Sequence, residues 1–136
     1  MKIGVPSEVK NNEHRVGLTP ESVKVLSSLG HHLFVQSNAG HAIGFTDQQY
    51  KLSGAQILGS AADVYQSSDL IIKVKEPVKT EFQFLHKDLT LFTYLHLAGD
   101  PIQAKKLLET RVTGIAYETV TSDDGSLPLL APMSAI

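Results

Sequence analysis

Apolar and polar positions along this chain follow two alternating rhythms. Ile3 to Val5 is a short apolar run of strand character, and a polar stretch from Ser7 to Gly17 follows it. Thr19 is suited to cap a helix, Pro20 to open it and Glu21 to sit in its first turn. Val23, Leu26 and Leu29 then recur at helical spacing until Gly30 stops the helix. Leu33 to Val35 predicts the next strand, and Ser37-Asn38-Ala39-Gly40 predicts a turn. Asp47 predicts the cap of a short helix through Leu52, Gln56 to Leu58 a weak strand, and Ser60 the start of a helix through Tyr65. Leu70 to Lys75 predicts a strong strand stopped by Glu76-Pro77, followed by a helix from Val78 to Leu85 and a second strong strand from Leu89 to Leu95. Asp100 and Pro101 open a helix over Ile102 to Glu109, and Val112 to Tyr117 predicts a further strand. Strands alternating with short helices predict a parallel α/β sheet with right-handed crossovers.

Composition narrows the function classes. The 136 residues are 42% hydrophobic and 19% charged, enough for one core in one domain. A formal charge of −2 builds no broad positive field, so no nucleic-acid partner is expected. The chain has no cysteine, which removes disulfides, thiolate zinc sites and cysteine nucleophiles. The longest stretch free of Asp, Glu, Lys and Arg, Val25 to Thr46, carries three histidines and several other polar residues and would not cross a bilayer. The first residues lack the apolar run of a secretory signal, so a cytoplasmic location is expected. The segment Leu127 to Ile136 is apolar, which predicts a chain that is part of something longer.

Familiar nucleotide and metal motifs are missing. No two glycines lie two positions apart, so there is no dinucleotide fingerprint, and Ser60 stands where a P-loop would need lysine. The six histidines are scattered without metal-ligand spacing, so no metal site is expected. The positive signal is positional. In an open parallel sheet, ligands bind at the carboxyl ends of the strands. Arg15 lies in the loop leaving the first strand, Lys75 ends the strand Leu70 to Lys75, and His96 follows the strand Leu89 to Leu95. Strand alternation groups Lys73 with Lys75 and sets Leu70, Ile72 and Val74 opposite; it also groups Phe92, Tyr94 and His96. The trio suits a small carboxylate: Arg grips it in a planar fork, Lys polarises a carbonyl, and His moves protons near neutral pH. A plainer reading stands beside each: a solvated charge for Arg15, a surface ion pair with Glu76 for Lys75, and a satisfied imidazole for His96. Glu118, just past the last strand, is as suited to pairing with the basic trio as to catalysis.

These residues also carry a resemblance. Gly4-Val5-Pro6-Ser7-Glu8, Asn12-Glu13-His14-Arg15-Val16 and Thr19-Pro20 resemble the N-terminal signature shared by alanine dehydrogenases and the alpha subunits of proton-translocating nicotinamide nucleotide transhydrogenases. Lys73-Val74-Lys75-Glu76-Pro77, Leu91 to Ala98, Ile115 to Val120 and Leu127 to Ser134 resemble the dehydrogenases throughout. Lys75 and His96, which transhydrogenase subunits usually lack, favour the dehydrogenase branch. The resemblance implies a doubly wound, mostly parallel α/β domain, Rossmann-like or flavodoxin-like. It implies NAD-dependent oxidative deamination of L-alanine to pyruvate and ammonia. On it, Arg15 grips the substrate carboxylate, Lys75 holds the substrate and polarises the carbonyl or imine, His96 is the acid–base, and Met133 and Ser134 lie near the nicotinamide. Residues 1–136 are then the N-terminal substrate domain. The dinucleotide-binding domain and a closing C-terminal segment lie outside it, so the isolated chain is expected to be inactive. Family members assemble as homo-oligomers, typically hexamers. Two departures stand out: Gly17 replaces a usual Ala, and Ala135 a usual Glu. The alternatives are a transhydrogenase-type nucleotide-presenting domain and a non-catalytic small-carboxylate binding module.

Overall fold

The structure, a computed structural model, describes residues 1–10, 12–95 and 99–117. Six strands, β1 (Lys2–Val5), β2 (His32–Gln36), β3 (Ala55–Leu58), β4 (Leu70–Ile72), β5 (Thr90–Thr93) and β6 (Thr113–Ala116), form one sheet in the order β3-β2-β1-β4-β5-β6. Every neighbouring pair is parallel. Helices α1 (Pro20–Ser28), α2 (Asp47–Leu52), α3 (Ala61–Ser67) and α4 (Pro101–Glu109) connect them, with a 3-10 segment, Lys79–Phe84, between β4 and β5. Of the two expected sheet types, this order is the Rossmann one, in which the chain winds outward from β1, returns, and winds the other way from β4.

Each sheet face has its own core. Ile3, Val5, Leu33, Val35 and Ala55 bury one face with Val23 of α1 and Tyr50 of α2. Ile71, Leu89, Leu91 and Ala116 bury the other with Val64 and Tyr65 of α3 and Leu107 of α4. A central strand buried on both faces reads as a continuous apolar run, which explains Ile3-Gly4-Val5. Gly4 is glycine because α3 approaches β1 closely there. A Cβ at that position would lie 2.2 Å from Ser68 Oγ and 2.8 Å from Val64 Cγ1. Gly4→Ala should therefore lower stability by about 1–3 kcal/mol, as overpacking does. Urea unfolding checks this, and an unchanged midpoint would mean that α3 moves aside freely.

The local signals form as predicted at α1 and α4. Thr19 Oγ1 accepts the Ser22 N–H at 3.1 Å, and Asp100 Oδ1 accepts the Gln103 N–H at 3.1 Å. Four expectations need correction. Thr46, not Asp47, caps α2; Asp47 instead accepts the Ser37 hydroxyl and the Asn38 N–H, each at 2.8 Å. The predicted helix Val78 to Leu85 is the tighter 3-10 segment, and β5 is confined to Thr90–Thr93. The strand expected over Leu70 to Lys75 ends at Ile72. The Glu8 carboxylate takes the N–H groups of Val74 and Lys75 at 3.1 and 3.0 Å, so these amides are lost to any ladder and the chain turns away. Alternation therefore stops, and Lys73 does not share a face with Lys75.

Candidate functional site

The neighbouring strands β1 and β4 carry chain that departs to opposite sides, the arrangement that in open parallel sheets places a ligand crevice at the strands' carboxyl ends. The loop leaving β1 brings Glu8, Glu13 and Arg15 there; the segment leaving β4 brings Lys73 and Lys75. Gly17 lets the returning loop lie against β4, since a Cβ there would sit 2.3 Å from the Ile72 carbonyl oxygen.

A buried polar cluster ties the two segments together. The side chains of Glu8 and Lys73 are each 1% exposed, and that of Glu81 is 3%. Lys73 Nζ lies 3.3 Å from Glu8 Oε1 and 3.2 Å from Glu81 Oε2. Tyr65 donates its hydroxyl to Glu81 Oε2 at 2.9 Å, and Val78 donates its N–H to Glu81 Oε1 at 3.0 Å. Burial pushes the Glu8 carboxyl above its ordinary value, against the opposing pull of Lys73 and the two amides. Burial likewise raises the Tyr65 and Tyr117 phenols, the first also through Glu81, so both remain neutral donors. Tyr117 donates to the Lys73 carbonyl at 2.6 Å, and Thr93 Oγ1 to the Lys75 carbonyl at 2.8 Å. The backbone of 73–75 is thus held from both sides.

Arg15 and Lys75 stand at the mouth of the crevice. Glu13 meets Arg15 side-on: Nε donates to Oε2 at 2.9 Å, Nη2 to Oε1 at 2.8 Å, and the Arg15 backbone N–H to Oε2 at 3.0 Å. Hydrogen bonding to Arg15 holds the Glu13 carboxyl below its ordinary value, and the Lys75 charge pulls it the same way. Stability from this pair is therefore present above the unfolded carboxyl's pKa and is lost as pH falls through the lowered folded one. The Lys75 ammonium lies 5.5 Å from the centre of the Tyr94 ring, within cation–π range, and makes no ion pair among the described residues. The plainer expectation for Lys75 fails, because Glu76 pairs with Lys10 instead.

Arg15 is thus paired with Glu13, and the Lys75 charge acts on the same carboxylate. His96, Glu118, Met133 and Ser134 lie outside the described residues. Glu8, Glu13, Lys73, Glu81 and Tyr65 carried no assigned role in the sequence alone. Glu8 did offer a signal: an acidic residue three positions past an apolar first strand lies where an open sheet would bury it. The described residues at the β1–α1 crossover offer no glycine-rich turn for a pyrophosphate. Gly17 faces a carbonyl rather than open space, and Thr19 already takes an N–H at the start of α1.

Sheet order and site together define a class: a doubly wound α/β domain whose switch-point loops carry a guanidinium and an ammonium. Residues 4–136 match the family described as alanine dehydrogenase/PNT, N-terminal domain, and the chain belongs to that family. It is 50% identical to an alanine dehydrogenase of Methanococcus maripaludis, covering all of this chain and 36% of that protein. It is 46% identical to one from Mycobacterium tuberculosis, again covering all of this chain and 37% of the relative. A solved L-alanine dehydrogenase superposes with a TM-score of 0.94 at 49% identity, covering 98% of this chain and 37% of that one. A transhydrogenase from Sinorhizobium meliloti superposes at 0.80 with 30% identity, covering 87% of this chain and 35% of that one. The chain therefore spans little more than a third of the length of these relatives. Among the described residues no helix is long and apolar enough to cross a membrane.

Proposed function

We propose that residues 1–136 are the substrate-holding domain of an NAD-dependent alanine dehydrogenase, which interconverts L-alanine with pyruvate and ammonia. The observation that supports the proposal is that Arg15 and Lys75, on the segments leaving β1 and β4, both act on Glu13, which takes one edge of the guanidinium. Glu13 occupies the Nε–Nη2 edge, which leaves the Nη1–Nη2 end free to grip a substrate carboxylate. Lys75, half-buried and without an ion-pair partner among the described residues, polarises the adjacent carbonyl or imine. On the family resemblance His96 moves protons to and from the reacting oxygen and nitrogen, while Met133 and Ser134 approach the nicotinamide. In the proposed enzyme NAD is held mainly by a dinucleotide-binding domain other than residues 1–136. The working enzyme is proposed to be a cytoplasmic homo-oligomer, in keeping with the same resemblance.

Titrating the isotope-labelled chain with pyruvate tests the reading by NMR. Saturable shifts are expected at Arg15, Lys75 and the amides of 73–75, with no NAD-dependent turnover of alanine by the chain alone. Saturable shifts confined to the hollow lined by Ser27, His31 and Gln56, or none at all, would overturn it. The transhydrogenase match favours a second reading, a nucleotide-presenting domain that binds no amino acid. It is the weaker one, at 30% identity against 49%, and predicts no response to pyruvate.

A further inference from the structure

We propose that Glu13 sets the charge selectivity of the crevice, admitting a monocarboxylate and rejecting a dicarboxylate of the same size; this rests on the carboxylate reading above. Among the described residues three charged groups stand here: Arg15, Lys75 and Glu13. Their sum is one positive charge, which a single carboxylate neutralises. The cluster beneath adds no reserve of positive charge, because Lys73 is shared between Glu8 and Glu81. Glu13 cannot swing aside easily. Three hydrogen bonds from Arg15 hold it, and its side chain is 6% exposed against 36% for Arg15. A ligand carboxylate on the free end of Arg15 has Lys75 as its remaining counter-charge. A second carboxylate in place of the ligand's methyl group would find no unused cation among the described residues, and would meet Glu13 with Glu8 behind it. Like charges brought together in a partly desolvated site are a device for excluding the wrong ligand.

The test compares L-lactate with tartronate, in which a carboxylate replaces the lactate methyl, by NMR titration of the 136-residue chain, with pyruvate as the reference ligand. The wild-type chain should bind lactate at least about tenfold more tightly than tartronate. Glu13→Gln should remove most of that preference, whereas Glu13→Asp, which keeps the charge, should retain it even if both ligands weaken. A role limited to positioning Arg15 would weaken both ligands equally in Glu13→Gln and leave the ratio unchanged, which would overturn the proposal. So would a wild-type chain that does not discriminate. If Glu13→Gln fails to fold, the wild-type chain still decides: raising ionic strength from about 0.02 to 0.5 M should narrow the ratio, and a ratio that does not move overturns the proposal. Pyruvate binding without charge discrimination sinks the role of Glu13 alone; no binding of any of the three acids sinks the carboxylate reading with it.

Discussion

Lys73→Met is expected to destabilise this domain by about 3–5 kcal/mol at neutral pH, the range for breaking a buried ion pair from one side. Lys73 is the cation between Glu8 and Glu81, and removing it leaves two carboxylates facing each other out of water. The pH dependence provides a second check. The folded Glu8 carboxyl already lies above its ordinary value of 4.5, and loss of the Lys73 charge would raise it further. For a raised carboxyl, stability is fully present below the unfolded pKa and is lost as pH rises through the folded one. The gap between variant and wild type should therefore be widest at neutral pH and shrink toward pH 4.5. Urea unfolding at both pH values measures it. Adding Glu8→Gln and Glu81→Gln to Lys73→Met should recover much of the loss, because neutral amides no longer repel. A Lys73→Met domain as stable as wild type at neutral pH would show that the cluster is not an ionised, closed network.

Lys75→Ala is expected to lower kcat/KM for pyruvate by about a hundredfold or more in an enzyme of full family length carrying this domain, with kcat falling as well as KM rising. In the proposed site its charge serves both binding and carbonyl polarisation, so both parameters should move. Arg15→Ala should act mainly on KM, because a fork on the carboxylate holds ground state and transition state alike. Arg15→Lys should not restore it: an ammonium cannot keep Glu13 on one edge and grip a ligand with a planar fork. Steady-state rates of NADH oxidation at varied pyruvate separate the two patterns. Near-normal kcat and KM in both alanine variants would refute the site.

Much of the fold was legible because its signals are local. A cap such as Thr19 or Asp100 bonds an amide three residues away, and Pro20 and Pro101 have a fixed φ suited to a first helical turn. The strand cores at Ile3–Val5, Leu33–Val35 and Leu70–Ile72 were legible for a similar reason, since burial on both faces leaves a plain apolar run. Arg15 and Lys75 stood out because chain leaving strand ends in a parallel sheet lies where ligands bind.

The strand order and the site's charge pairing were not legible in the same way. Nothing near β4 in sequence says that it lies beside β1 rather than β3; the packing of α1 and α2 on one face and α3 on the other settles it. The end of β4 depends on Glu8, 66 residues before Val74, so alternation extended to Lys75 had no local reason to stop. Lys73 and Lys75 look equivalent as neighbours in a strand, yet one is sealed between two carboxylates and the other rests on Tyr94. Residue types and periodicity specify which groups are present and which short segments are helix or strand. Which charges meet is a long-range matter, because the free energy of an ion pair depends on distance and burial, and both arise only when remote segments pack.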